Sequence, residues 1–308
     1  MMTKLRVRAP ATRSLLFACL ALAVGGPQAR AAQAPASVFV PVTWLADRLG
    51  KEPIVVLHVS DRPTYDAGHI AGAQFVALKD LSDPDAKLAL QMATIDRLQA
   101  AFERLGVGDN TKVVLCLANE YVSPTARVFV ALEYLGLSDR TFVLDGGLHQ
   151  WKAEGRPVTT EIVAPKPGKI TPHPRPEVIV DAEWVRARLN QPSVTIVDAR
   201  NTSFYTGEND GRGGIPRPGH IAGAVSVPFD ALNEGGSMKL KDEATLRKLF
   251  EAAGVKPGSE VVTYCHIGQQ ASQVYLVARV LGYRVHLYDG SYEEWAANPA
   301  LPVERTAK

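Results

Sequence analysis

Short runs of β-branched and aliphatic residues alternate along the chain with longer segments whose apolar residues recur every three or four positions. The segment from Gln270 to Leu281, for example, places Val274, Val277 and Ala278 on one face of a helix. Strands that alternate with helices in this way predict an α/β fold, with a mostly parallel sheet flanked by helices on both faces. The predicted strands are Ile54 to Val59, Lys112 to Leu117, Thr141 to Leu144, Val194 to Val197, Glu260 to Tyr264 and Arg284 to Tyr288.

The pattern occurs twice, because the two halves of the chain contain the same motifs in the same order. Residues 68–73 read Gly-His-Ile-Ala-Gly-Ala, and residues 219–224 repeat them letter for letter. Asp145-Gly-Gly in the first half corresponds to Asp289-Gly-Ser in the second. A repeat of this length indicates a duplicated domain. Five prolines between positions 165 and 176 favour an extended linker, so we predict domains at 36–160 and 177–305 joined by a linker at 161–176.

The first 31 residues have the composition of a targeting segment. Four basic residues between Lys4 and Arg13 precede an apolar run, and Ala29-Arg30-Ala31 forms a small-x-small cleavage site. We predict a secretory signal peptide over residues 1–31, a periplasmic or secreted mature protein, and no stable membrane association after cleavage. The alternative is a membrane anchor, but the apolar run falls short of the roughly 20 residues that a bilayer span requires.

Charge and cysteine content narrow the function further. The chain has 34 Lys plus Arg against 32 Asp plus Glu, so its near-neutral balance gives no support for a nucleic-acid partner. Of the three cysteines, Cys19 lies in the predicted signal peptide, whereas Cys116 and Cys265 lie at equivalent strand ends of different domains. We therefore expect two free thiols rather than a disulfide.

Cys265 occupies the position in the second domain where parallel α/β sheets bind ligands. It follows the strand that ends at Tyr264 and precedes a loop that opens a helix near Ala271. Unpaired amides at the helix start are expected to favour the thiolate, and Gly268 lets the loop curl so that these amides converge. The alternative is that Cys265 is a small buried core residue, which is common for free cysteine.

The motif Val262-Thr-Tyr-Cys265-x-x-Gly268, together with Asp198-Ala-Arg200, Gly219-His-Ile and Asp289-Gly-Ser, resembles the tandem-domain rhodanese family of thiosulfate and 3-mercaptopyruvate sulfurtransferases. The resemblance covers nearly all of the chain after residue 31. It implies two tandem rhodanese-like domains, of which the first is catalytically silent. It also implies that Cys265 carries a persulfide within a six-residue loop that ends at Gln270. The implied cradle for the persulfide is His266, Ile267, Gly268, Gln269, Gln270 and Ala271.

The same resemblance implies the partners of the reaction. A small-molecule donor such as thiosulfate gives up its outer sulfur, and a thiophilic acceptor such as cyanide, a thiol or a protein cysteine removes it. No metal or organic cofactor is required. The first copy agrees with a silent role, because either Leu117 or Asn119 aligns with Cys265, depending on where the alignment starts, and neither is a thiol. We expect Cys116, on the preceding strand, to belong to the core.

Two arginines are candidates for binding the substrate. Arg200 either braces its strand end through Asp198 or lends positive potential to the site, and Arg212 lies in an inserted loop where relatives place an arginine for the substrate anion. The chain departs from the animal enzymes at Phe204, where they have an arginine, and at His266-Ile267, where they have a basic pair. The nearly neutral loop leaves thiosulfate and 3-mercaptopyruvate open as donors.

Two other function classes are compatible with parts of this pattern. Cysteine phosphatases share this fold, but their longer loop ends in an arginine, and here Ala271 and Ser272 stand at those positions. A non-enzymatic sulfur-carrier or binding module is the second alternative, which the complete Cys265 loop disfavours.

Overall fold

The computed structural model describes residues 1–2, 37–118, 121–235 and 237–306. The predicted signal peptide, with Cys19, lies outside the described residues apart from its first two positions, and Asn119 also lies outside them. Among the helices described, none has the length and apolar content needed to cross a bilayer.

The first copy is built on a five-stranded parallel sheet with the strand order β1-β5-β4-β2-β3. The side chains of its central strand β4 alternate between two apolar layers, because successive residues of a strand point to opposite faces. The strands are β1 Phe39–Val40, β2 Ile54–Val59, β3 Gln74–Val76, β4 Lys112–Leu117 and β5 Thr141–Leu144.

Helices cover both faces of this sheet. On one face Leu45 and Trp151 pack into the core, and on the other Phe102 and Phe129 do so. Asp61 caps the second helix and Thr94 the third, each accepting a hydrogen bond from a backbone amide of the first turn. The helices are α1 Val42–Arg48, α2 Arg62–Ala67, α3 Ile95–Arg104, α4 Ser123–Tyr134 and α5 Gly147–Ala153.

The second copy repeats the architecture, with the strand order β6-β11-β10-β7-β9 and every pairing parallel. A short antiparallel pair, β8 with β12, lies beside the main sheet. The strands are β6 Ile179–Val180, β7 Val194–Asp198, β8 His220–Ile221, β9 Val225–Ser226, β10 Glu260–Tyr264, β11 Arg284–Tyr288 and β12 Val303–Glu304. The helices are α6 Ala182–Arg186, α7 Thr202–Thr206, α8 Glu243–Ala252, α9 Gln269–Val280 and α10 Ser291–Ala297.

The two copies share one apolar core. Helix α4 of the first copy packs along α9 of the second, and a single cluster of buried side chains runs through both sheets and both helices. The cluster includes Val128 and Leu132 from α4 and Val274 and Ala278 from α9. The segment at 161–175 contains no helix or strand and is tied to the first copy, where Gly168 donates to the carbonyl of Glu103.

The predicted fold is confirmed, and every predicted strand is present. Five of the six strands have the predicted ends, and β7 extends one residue further, to Asp198. The strand ends of the second copy therefore bring the segments after Asp198, Tyr264 and Tyr288 to the same edge of the sheet. This edge holds the candidate site.

Candidate active site

Cys265 lies directly after β10, the central strand of the second sheet, and its side chain is 1 % exposed. The Cys265 amide donates to the hydroxyl of Ser291 over 3.3 Å, and the Cys265 carbonyl accepts from the amide of Tyr292 over 2.9 Å. The carbonyl of His266 accepts from the amide of Glu293 over 3.0 Å. The start of α10 therefore fixes the backbone on which the thiol is carried.

Backbone amides converge on the Cys265 sulfur, as the sequence predicts. The N–H groups of Ala271, Ile267, Gln270 and Gly268 act on the sulfur and favour the thiolate, which lowers the pKa of Cys265. Burial of the sulfur nevertheless dominates and raises the pKa of Cys265 above its ordinary value. The predicted lowering of this pKa is therefore wrong in its net direction, because desolvation of the thiolate outweighs the four amides.

Gly268 makes the curl of the loop possible. Its φ is +83°, in the left-handed region, and it stands at the N-cap of α9. A Cβ atom at this position would lie 2.9 Å from Nη1 of Arg127 and 3.2 Å from Oδ1 of Asp289. Glycine is therefore required here both by the backbone conformation and by its neighbours.

His266 contributes an imidazole without a charge at neutral pH. Burial, with a smaller contribution from the nearby Arg200 guanidinium, lowers the pKa of His266 to about 4. The ring of Phe204 meets the imidazole edge to face, with 4.5 Å between the ring centroids. The loop itself therefore supplies amide dipoles rather than side-chain cations. Its remaining members Ile267, Gln269 and Gln270 are half-buried, and Ala271 is buried.

Arg200 has the bracing role and makes no hydrogen bond to the Cys265 loop in the described structure. Its guanidinium is fully buried and donates to both oxygens of Asp198 and to the carbonyl of Gly219. The guanidinium also lies over the ring of Tyr292, 4.0 Å from its centroid. Arg200 thus ties the end of β7 to neighbouring segments, and its geometry gives no support for direct substrate binding.

Arg212 is not brought to the site by any hydrogen bond or ion pair among the described residues. It is exposed, and its φ of +59° is a left-handed conformation in the inserted loop. The proposed contact between Arg212 and a substrate anion therefore has no support in this geometry.

The first copy supplies residues of the site that sequence reasoning missed. Arg127 of α4 donates to Asp289 over 2.5 Å, and both side chains are less than 10 % exposed. The amide of Met92 donates to the other oxygen of Asp289 over 2.7 Å, and the amide of Ala89 donates to Glu293 over 3.0 Å. The sequence places Asp289 only within the repeat, and its position directly after the predicted strand that ends at Tyr288 was the available signal for its role.

The corresponding place in the first copy has a different character. His58 of β2 and Asp198 of β7 are equivalent positions of the repeat. Strand pairing sets His58 beside Cys116 and Asp198 beside Tyr264, so Cys116 corresponds to Tyr264 and Leu117 to Cys265. Cys116 lies in an apolar layer, and burial raises its pKa to about 12. Both described cysteines are free thiols. An open cavity of about 730 Å³ lies near this end of the first sheet, between Tyr121 and His149 of the first copy and Phe229, Asn233 and Lys239 of the second.

The arrangement suits a nucleophile that carries its negative charge on a larger group. A thiol that is buried among apolar side chains stays protonated at rest, whereas an added group at the mouth of the loop meets converging amides. Such preorganised donors stabilise charge that develops during a reaction.

Comparison with known proteins identifies relatives of this arrangement. The model of the rhodanese-like domain matches residues 41–154 and again 181–298. A protein of Azotobacter vinelandii named thiosulfate sulfurtransferase is 32% identical over 263 residues, covering 84% of this chain and 94% of that protein. The sulfur carrier protein TtuD of Thermus thermophilus is 32% identical over 288 residues, covering 87% of this chain and 96% of that protein.

Solved structures share the fold. The structure of wild-type EanB superposes with a TM-score of 0.78 at 24% sequence identity, covering 88% of this chain and 69% of that one. At this identity the likeness bears on the fold alone.

Proposed function

Because the chain belongs to the rhodanese family and is a sulfurtransferase, we propose that it transfers a sulfane sulfur through a persulfide on Cys265. The convergence of four loop amides on that buried sulfur carries the proposal. A persulfide places its negative charge on the outer sulfur, where amides at the start of a helix can stabilise it.

The proposed reaction has two halves. After its proton leaves to solvent, the Cys265 thiolate attacks the outer sulfur of thiosulfate. A new S–S bond forms, the S–S bond of thiosulfate breaks, and sulfite departs with the electron pair. An acceptor such as cyanide then attacks the outer sulfur of the persulfide, which forms thiocyanate and releases the Cys265 thiolate.

The assignment of Cys265 is tested with two single-cysteine variants. We expect Cys265→Ser to abolish thiocyanate formation from thiosulfate and cyanide. Cys116→Ala should retain activity within about twofold, because Cys116 lies in an apolar layer of the first copy. Intact mass after incubation with thiosulfate should rise by one sulfur in the second variant and not in the first. Equal loss of activity in both variants would refute the division of roles.

The donor and the acceptor are identified by separate measurements. Thiosulfate is favoured by the named activity of the relatives in Azotobacter vinelandii and Pseudomonas aeruginosa. 3-Mercaptopyruvate is the alternative donor, and kcat/KM measured for both compounds ranks them. The relative named as a sulfur carrier favours a protein thiol as a second class of acceptor. Mass spectrometry of a candidate acceptor mixed with the persulfide form tests that transfer.

The N-terminal composition supports a proposal of export with removal of residues 1–31. The mass of the protein recovered from the periplasm or the medium tests it. Recovery of the full 308-residue chain in the cytoplasm alone would contradict export.

A further inference from the structure

Arg127 is a buried cation that the first copy contributes to the catalytic loop of the second. Its side chain is 4 % exposed. One terminal nitrogen, Nη2, donates to Oδ1 of Asp289 over 2.5 Å and to the carbonyl of Leu90 over 2.7 Å. The other, Nη1, is buried and has no hydrogen-bond partner among the described residues. The orientation of the guanidinium is therefore fixed by the bonds of Nη2, while Nη1 has no acceptor.

The unpartnered nitrogen lies beside the loop that carries Cys265. A Cβ atom built on Gly268 would approach Nη1 to 2.9 Å, so this nitrogen is in close contact with the backbone that curls around the sulfur. Gly268 also provides one of the four amides that act on Cys265. Nη1 of Arg127 therefore lies against the same segment that supplies the amides around the sulfur.

The charge on Arg127 is balanced without using Nη1. Asp289 accepts from Nη2 through Oδ1 and from the amide of Met92 through Oδ2, so both carboxylate oxygens are engaged. A buried guanidinium N–H without an acceptor costs free energy, and an anionic oxygen is the acceptor that relieves this cost best. Arg200 also has one terminal nitrogen, Nη1, without a partner among the described residues, but its other donors are held by Asp198 and Gly219 and it makes no hydrogen bond to the loop. Arg212 is exposed.

We propose that Nη1 of Arg127 binds an anionic oxygen of the sulfur donor. For thiosulfate this oxygen belongs to the sulfonate-like end, which leaves as sulfite. The inference rests on the proposed function in taking the donor as the ligand. It makes the first copy, which lacks the nucleophile, a part of the substrate-binding site. It also explains how a loop without side-chain cations recognises an anion.

Binding rather than turnover provides the test, so that failure of the proposed function is distinguishable. In the Cys265→Ser background sulfur cannot be transferred, and calorimetry measures the Kd of thiosulfate directly. Addition of Arg127→Gln should weaken this Kd by about tenfold or more, because a charge-assisted hydrogen bond is lost. The Kd of sulfite should weaken in parallel.

Two further variants separate anion binding from loss of structure. Arg279→Gln breaks another arginine–carboxylate bridge between α9 and α4, at Glu133, and should leave the thiosulfate Kd unchanged. Arg127→Lys keeps a charge for Asp289 but has a single nitrogen, so it should preserve Tm while still weakening the Kd.

Three outcomes would overturn the assignment: absence of measurable thiosulfate binding in the Cys265→Ser protein, an unchanged Kd in Arg127→Gln, or full affinity in Arg127→Lys. The assignment is supported if both Arg127 variants bind thiosulfate weakly while the Cys265→Ser parent and its Arg279→Gln variant bind it with the same Kd. Absence of catalysis in the unmutated chain would contradict the proposed function and leave these binding measurements valid.

Discussion

Two opposing effects act on the ionisation of the Cys265 thiol. Apolar side chains exclude water and disfavour its thiolate, while the four loop amides favour it. The balance keeps the resting sulfur protonated, and the proposed persulfide would extend its charge toward the amides. The residue is therefore best matched to the intermediate rather than to the free enzyme.

The raised pKa of Cys265 predicts a strong dependence of the first half-reaction on pH. Below this pKa the thiolate fraction grows about tenfold for each pH unit, and only the thiolate attacks the donor. Single-turnover formation of the persulfide should therefore accelerate about tenfold per unit between pH 6 and pH 8. Quenched-flow mass spectrometry at saturating thiosulfate measures it. A rate that is constant over this range would show that the thiolate is already formed at pH 6.

Gly268→Ala is predicted to inactivate the enzyme for a steric reason. The substitution adds a methyl group 2.9 Å from Nη1 of Arg127, and it also strains a backbone whose φ is +83°. Gly282 has a similar φ of +87°, but no atom lies within 4 Å of its Cβ position. Gly282→Ala should lose about 1 kcal/mol of stability in urea unfolding from its φ alone, and Gly268→Ala at least as much.

Only Gly268→Ala should reduce sulfur transfer, by tenfold or more, since it displaces the amide cradle. Similar activity in the Gly268→Ala and Gly282→Ala proteins would mean that the loop tolerates the displacement.

At the level of elements, a buried carboxylate adds polar contacts to the apolar packing of α4 on α9. Glu133 of α4 is fully buried and accepts from Arg175 and Arg279 over 2.8 Å each, and from the hydroxyl of Tyr275 over 3.1 Å. Two of these partners belong to α9, and the third lies just before the second copy. The cluster therefore fixes how the two helices lie against each other.

Glu133→Gln should destabilise the protein by about 2 kcal/mol, because it removes the negative charge that balances two arginines and replaces the oxygen that accepts from Tyr275 with an N–H donor. Glu183→Gln is the matched control. It removes an ion pair with Arg186 in which both side chains are more than half exposed, and it should cost less than about 0.5 kcal/mol. Urea unfolding measures both. Equal stability of the two variants would show that Glu133 does not stabilise the packing of α4 on α9.

The strands and the position of Cys265 could be predicted from sequence because both depend on local patterns. Short runs of β-branched and aliphatic residues define β4 and β10, and Gly268 marks the turn into α9. The role of Arg127 could not be predicted, since its partner Asp289 is 162 residues away and joins it only when the copies pack. The pKa of Cys265 was misjudged for a related reason. The loop amides can be inferred locally, whereas the apolar layer that buries the sulfur comes from the tertiary fold.

For the whole molecule, one core that spans both copies predicts cooperative unfolding. Neither α4 nor α9 can leave the shared cluster without exposing apolar side chains of the other. Far-UV circular dichroism and tryptophan fluorescence should therefore report a single urea transition with the same midpoint, and with an m-value that matches the size of both copies together. Trp44 and Trp151 report the first copy, and Trp184 and Trp295 the second. Two separated transitions would contradict the shared core.

The packing of α4 on α9 also bears on how a duplicated gene diverges. The first half has leucine at the position that corresponds to Cys265, and its strand ends border an open cavity. Its helix α4, by contrast, still carries Arg127 and Glu133 to the other half. We therefore expect substitutions in this half to be tolerated around the cavity and to be poorly tolerated along the face of α4 that packs on α9.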